Sequence, residues 1–331
     1  MTRLRLTKQL LCLLGIVAVL AGCGVVSGQS TGFAPSGASP LIRQTHHGSW
    51  MDKASSSGPL LYVSLPYDRT VNIYTVPGAQ LVGQITGLRF PWALCSDNSG
   101  NVWVADEPTY YKAVLKEYAR GGTSPIRTLR DANGAVLACA YDSTTGNLAA
   151  VSAYDYSRGG YVDVYARARG KPTIYRPYSV WYPNSAAFDS QGDLFIAGRT
   201  GNYAAGTDWL RKGASTITEL KLKKPHTYPH VGVVVTGNEL TAIAHPSLIN
   251  QYEIVEGKAK YSGSFTLNVP EILYCSLSNS TLVASGGDSV YLFNYPTGGN
   301  PTLTIAGLAE PTGVTMSVAP SHSRIQKHEG P

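Results

Sequence analysis

Pro91-Trp-Ala-Leu-Cys-Ser-Asp97-Asn-Ser-Gly100-Asn-Val-Trp-Val-Ala-Asp106 is the stretch from which the fold can be read. A short apolar strand leads into Asp-x-x-Gly, and an alternating apolar strand follows. Asp and Gly suit a tight reversal, because the carboxylate bonds forward to the backbone and Gly accepts positive φ. A third strand follows at Val114-Leu-Lys-Glu-Tyr118, and a short fourth at Pro125-Ile-Arg-Thr-Leu129. The unit is therefore a four-stranded meander.

The same phrase returns along the chain. Ala140-Tyr-Asp142-Ser-Thr-Thr-Gly146-Asn-Leu and Pro183-Asn-Ser-Ala-Ala-Phe-Asp189-Ser-Gln-Gly192-Asp-Leu-Phe-Ile-Ala are close copies. Pro229-His-Val-Gly-Val-Val-Val-Thr-Gly237 and Pro270-Glu-Ile-Leu-Tyr-Cys-Ser-Leu-Ser-Asn279 are weaker ones. Pro91 and Pro183 lie 92 residues apart, two units of 46, and Pro229, Pro270 and Pro311 follow at 46, 41 and 41. A period of about 40–45 residues with four strands each predicts propeller blades.

The ends of the repeat complete one another. Leu60-Leu-Tyr-Val-Ser64 begins like a second strand with no first strand ahead of it. Glu310-Pro311-Thr-Gly-Val-Thr-Met-Ser-Val318 is a first strand with nothing after it. Pairing the two closes the ring and hides its edges. The expected fold is all-β, a six-bladed β-propeller closed by its C-terminal strand. The expected blades are 60–88 with 310–318, then 91–130, 135–175, 183–222, 229–267 and 270–305.

Composition agrees. Apolar residues make up 43% of the 331 and charged residues only 15%, with 35 Gly, 20 Pro and 21 Tyr. Wholesale disorder is excluded by the apolar fraction, and long polar-faced helices by the scarcity of charge.

The N-terminus reads as an address. Arg3, Arg5 and Lys8 precede an apolar run from Leu10 to Ala21, too short to span a bilayer comfortably. It ends in Leu20-Ala21-Gly22-Cys23, which resembles a bacterial lipobox. That resemblance implies a lipoprotein signal peptide over 1–22 and a diacylglycerol on Cys23. With Gly24 rather than Asp after the cysteine, it also implies outer-membrane sorting in a host with two membranes. Residues 23–58, rich in Ser, Gly and Pro, read as a flexible tether. About 35 flexible residues span roughly 30–35 Å. The propeller is expected over 59–320 and a disordered tail over 321–331. Loss of the signal reduces the net charge from +6 to +3, which argues against nucleic-acid binding. A monomer held to the envelope by its lipid is expected.

The repeat resembles the NHL-type six-bladed propellers and, more broadly, the TolB-like and SMP-30/gluconolactonase-like folds. The resemblance runs from Leu60 to Ala319 and rests on the Pro–apolar–Asp-x-x-Gly–Asn–apolar rhythm. With the lipobox and tether, the chain also resembles NHL-like lipoproteins of environmental bacteria. Such folds host hydrolases, lyases and pure binders alike.

Two functional readings follow. In the first, loops leaving the second strands present Tyr110, Tyr111, Tyr154, Tyr156, Tyr203 and Trp209 to a protein or glycan partner. Aromatics bring contact area at low entropic cost. In the second, the central funnel holds a metal-dependent hydrolase or lactonase site. Trp92, Asn184, His230, His245 and Glu271 fall near its mouth, with His226 close by in sequence, and imidazole plus carboxylate are metal-ligand types. Glu310 and Asn184 hold ring positions broadly similar to those of the calcium-dependent lactonases. No haem motif, P-loop or dinucleotide fingerprint is present, no Gly-x-Ser-x-Gly elbow lies within the propeller repeat, and no cofactor is expected. Cys95, Cys139 and Cys275 fall in equivalent strands. They read as small buried core residues, with a Cys95–Cys139 bridge as the alternative.

Overall fold

The computed structural model describes residues 48–109, 112–130, 133–153, 159–222 and 232–318. Six antiparallel sheets form the propeller. Blade 2 runs Pro91–Ser96, Val102–Thr109, Lys112–Tyr118, Pro125–Arg130 from its inner strand outward. Blade 3 is Ala135–Tyr141, Leu148–Ala153, Gly160–Tyr165, Thr173–Tyr175, and blade 4 is Val180–Phe188, Leu194–Thr200, Ala205–Leu210, Thr218–Glu219. Blade 5 is Val233–Thr236, Glu239–Ile243, Leu248–Val255, Lys258–Thr266. Blade 6 is Tyr274–Ser278, Thr281–Gly286, Ser289–Asn294, Leu303–Ile305.

Blade 1 draws on both ends of the domain. Val314–Ser317 is its inner strand, paired with Leu60–Leu65 in the register Leu60↔Ser317, Leu61↔Met316, Tyr62↔Thr315 and Val63↔Val314. Thr70–Thr75 and Leu81–Ile85 follow outward. The stretch before Leu60, read from composition as the end of the tether, is built into the sheet instead. Trp50–Met51 pairs with Leu81–Ile85 as a fifth, outermost strand, and Lys53–Ser57 forms a 3-10 turn capped by Asp52. Trp50 and Met51 are the locally apolar part of that stretch, and they cover the sheet edge.

Each apolar cluster of the core lies between two neighbouring blades, and six clusters complete the ring. Middle strands are thus covered on both faces. This is why Leu60–Leu65 and Leu148–Ala153 are buried at every position rather than alternately.

The Asp-x-x-Gly phrase acts as a turn clamp. Asp97 accepts from the Ser99 and Asn101 amides at 2.8 Å each, while Gly100 turns with φ +78°. Asp189 does the same for Gln191 and Asp193, at 2.9 and 2.8 Å. Asp142, whose turn to Gly146 is one residue longer, takes the Thr144 amide and hydroxyl, both at 2.8 Å.

A Cys95–Cys139 disulfide joins the inner strands of blades 2 and 3. This replaces the reading of both residues as reduced core side chains. Equivalent positions on adjacent inner strands place their α-carbons 5.7 Å apart, within bonding reach. Cys275, on the inner strand of blade 6, stays free.

Candidate functional site

In a four-stranded meander, the start of the inner strand and the connection between second and third strands share one end. All six inner strands begin on the same side of the ring, so these segments form a single face. The Asp-x-x-Gly turns occupy the opposite face.

The entry face is aromatic. Tyr67, between the second and third strands of blade 1, meets Phe90 edge-on at 5.8 Å. Phe90 stacks on Trp92 at 5.5 Å, and Trp92 meets Tyr274 of blade 6 edge-on at 6.1 Å. This chain crosses three blades at the channel mouth. Burial pushes the Tyr274 phenol above its ordinary range, so it is neutral at every physiological pH. On blade 3, Arg176 lies 3.6 Å over the Tyr161 ring and donates to its hydroxyl at 2.7 Å. On blade 4, Trp181, Tyr182, Arg199, Thr200, Gly201 and Tyr203 surround a cleft of about 300 Å³. Tyr67, Tyr178, Trp181 and Tyr203 are the large aromatics most exposed among the described residues, at 61, 72, 42 and 67%. All four lie on this face.

Buried carboxylates hold the face in shape. Asp208, fully buried, accepts from the Tyr178 amide at 2.7 Å, the Ser179 hydroxyl at 2.6 Å and the Val180 amide at 3.0 Å. Asp106 takes the Arg89 and Phe90 amides at 2.8 and 2.9 Å and pairs with Lys116 at 2.8 Å. Both carboxylates fasten the segment leading into an inner strand and so aim the aromatic residues that follow. Beside Asp106, burial and then its negative charge push the Glu107 carboxyl up to about 7.

The central channel, about 190 Å³, is walled by all six inner strands. Its lining is mostly Ala, Val, Leu and Ser, with Tyr141, Asn184, Phe188 and Tyr274. Neither carboxylate, imidazole nor basic side chain lines it among the described residues. No three His, Cys, Asp or Glu side chains among those residues are grouped to hold a metal ion. Cys275 is on the wall, where burial pushes its thiol up to about 12.

The residues singled out from the sequence fall into three groups. Trp92 sits in the aromatic chain at the mouth, Asn184 on the channel wall and Tyr203 in the blade 4 cleft. His245 lies in the turn between the second and third strands of blade 5, and Glu271 ahead of the inner strand of blade 6. Both are on the entry face, outside the channel lining. Glu310 is also outside it, exposed and with φ +47°. Tyr110, Tyr111, Tyr154, Tyr156, His226, His230 and Cys23 lie outside the described residues.

Trp209 requires correction. It belongs to a strand rather than a loop, paired with Phe195 and buried at 6%. Sequence proximity to Tyr203 misled, because the strand carries it down to the opposite face, where Arg211 stacks on it at 4.5 Å. Tyr67, Tyr178 and Trp181 were missed. Their signal was position: Tyr67 lies in a second-to-third connection, as Tyr203 does, Tyr178 just ahead of an inner strand and Trp181 at the start of one.

These features define a six-bladed β-propeller with an aromatic entry face. No protein-family model matches the sequence, and neither does any curated protein. Among solved structures, a chain of the nidogen/laminin complex matches with a TM-score of 0.63 at 11% identity, over 79% of this chain and 99% of that one. A functionally unknown protein from Desulfotomaculum acetoxidans matches with 0.55 at 12%, over 78% and 99%. Hydrazine synthase of Kuenenia stuttgartiensis matches with 0.57 at 11%, over 76% and 83%. At such identities the likeness shows the fold alone.

Proposed function

We propose that this chain is a lipid-anchored extracytoplasmic binding module of the bacterial envelope, related to the NHL-like and TolB-like propellers. Its entry face takes up a glycan or protein partner without covalent chemistry. One observation carries this reading: the exposed large aromatics of the described residues gather on a single face, and buried Asp208 fastens the segment that carries two of them, Tyr178 and Trp181. Aromatic side chains displayed on a rigid scaffold supply contact area with little entropy to lose on binding. The lipobox ending in Cys23 supports the anchor. The Cys95–Cys139 bridge fits an oxidising compartment, since disulfides seldom persist in the cytosol.

The test is a glycan array and a cross-linking assay on intact cells, run with the wild type and a Tyr67→Ala, Trp181→Ala, Tyr203→Ala triple variant. Binding that the triple variant loses while keeping its melting temperature supports the reading. Binding that survives in the triple variant refutes it. The hydrolase or lactonase reading draws no support from the described channel, whose lining lacks an acid, a base or an imidazole.

A further inference from the structure

We infer that the blade 4 cleft is a subsite for an acidic sugar, a uronate residue of a polysaccharide. This deepens the recognition reading above and rests on it. A pyranose ring has one face of C–H bonds and a rim of hydroxyls. It binds best where a flat aromatic surface is held still beside polar groups. The cleft supplies both.

Trp181 is the platform. A β-carbon built on Gly159 would stand 3.3, 3.3 and 3.4 Å from Cδ2, Cε3 and Cε2 of the indole. Near-equal distances to these three atoms of the six-membered ring put Gly159 over one face of the indole. One indole face is thus braced by the backbone of blade 3, while the side chain as a whole is 42% exposed. Asp208 fixes the three residues immediately before it, Tyr178 to Val180. The platform is rigid before any ligand arrives, which lowers the entropic cost of binding.

Tyr203 forms the other wall. It is 67% exposed and sits at φ +64°, a left-handed conformation costly for a tyrosine. That backbone closes the turn in which the Tyr203 amide donates to the Thr200 carbonyl at 3.0 Å. A strained turn with an exposed ring at its tip serves presentation better than packing.

Arg199 selects charge. Its guanidinium lies 5.3 Å from the Tyr182 ring centre, and among the described residues no acidic side chain lines the cleft. A guanidinium is always charged and carries a planar fork of N–H donors that matches a carboxylate. The cleft volume of about 300 Å³ suits one ring and little more. A sugar unit fits that shape better than a flat protein surface does.

The experiment is a calorimetric titration of the full chain in detergent with oligogalacturonate, oligoalginate and a neutral hexose oligomer of equal length. At least one uronate should bind about tenfold or more tightly than the neutral oligomer. Arg199→Gln should weaken uronate binding by about tenfold and bring it down to the level of the neutral oligomer. Trp181→Ala and, independently, the surface change Tyr203→Ala should weaken both by about tenfold. Three outcomes overturn the inference: no uronate binding at millimolar concentration, no preference over the neutral oligomer, or a preference that survives Arg199→Gln. Uronate binding lost in Tyr67→Ala but kept in Trp181→Ala would overturn this cleft's role and leave the wider recognition face standing. Silence here together with a silent glycan array and cross-linking assay would remove both.

Discussion

The hydroxyls of Ser64 and Thr312, 248 residues apart in the chain, meet at 2.9 Å inside blade 1. Each is also within 2.9 Å of the Trp92 carbonyl, Ser64 at 2.8 Å and Thr312 at 2.9 Å. Ser285 of blade 6 donates to the Thr312 carbonyl at 2.6 Å. One small knot therefore ties blades 6, 1 and 2 where the ring closes. Both hydroxyl-bearing residues are buried, so their removal leaves polar groups stranded away from water.

Ser64→Ala should accordingly lower the unfolding free energy by roughly 1–3 kcal/mol. Truncation after Pro311 removes the inner strand of blade 1 altogether and should abolish cooperative unfolding. Urea titration followed by tryptophan fluorescence checks both. A truncated chain that unfolds like the wild type would mean that ring closure contributes nothing.

The Cys95–Cys139 bridge closes a loop with a sequence separation of 44. Chain-entropy arguments assign such a loop a stabilisation of up to about 4 kcal/mol, with measured cases commonly at 2–4. Cys95→Ser with Cys139→Ser should lower the melting temperature, and dithiothreitol should then have no further effect. Cys275 should resist iodoacetamide at pH 8 in the folded protein and react once unfolded, because burial keeps its thiol protonated. Mass spectrometry of alkylated peptides reads both results.

Glu107 introduces a pH dependence of definite sign. Its carboxyl is raised to about 7 in the folded state, from an ordinary value of 4.5. The folded protein therefore holds this proton more tightly than the unfolded chain does. Its contribution is greatest below pH 4.5 and is lost as pH rises towards 7. Glu107→Gln should thus raise the melting temperature at pH 8 while changing it little at pH 4. Equal shifts at both pH values would contradict the assignment.

Asp208 links stability to recognition. Asp208→Ala strands the Tyr178 and Val180 amides and the Ser179 amide and hydroxyl, and should cost about 3 kcal/mol or more. Asp208→Asn keeps the shape and one acceptor, and should cost less. If Trp181 is aimed by this carboxylate, hydrogen exchange at 178–182 should accelerate in the alanine variant.

For the anchor, Cys23→Ala should yield protein that takes up no radiolabelled fatty acid. Labelling that persists in this variant would refute lipidation at that residue.

Much of the fold was legible because a repeat multiplies a weak local signal. A single Asp-x-x-Gly turn specifies one reversal. The strand–turn–strand pattern around such turns, with Pro183, Pro229, Pro270 and Pro311 spaced at 46, 41 and 41 residues, specifies blades, and the complementary half-blades at Leu60 and Val314 specify closure. Boundaries slipped where the phrase degrades. Blade 4 begins at Val180, ahead of the Pro183 that the spacing suggested. The Trp50–Met51 strand carried no repeat signature at all.

Strand order, turn chemistry and ring closure are local or near-periodic properties, so residue order alone determined them. Which side chains share a face was decided only in three dimensions. Tyr203 and Trp209 are six residues apart and end on opposite faces, because an extended strand carries them apart. Trp181 and Gly159, 22 residues apart on different blades, lie in contact. The same holds for Cys95 and Cys139, whose bond depends on two neighbouring inner strands converging towards the axis. Periodicity encodes the blades one at a time, whereas a binding surface exists only once the blades stand side by side.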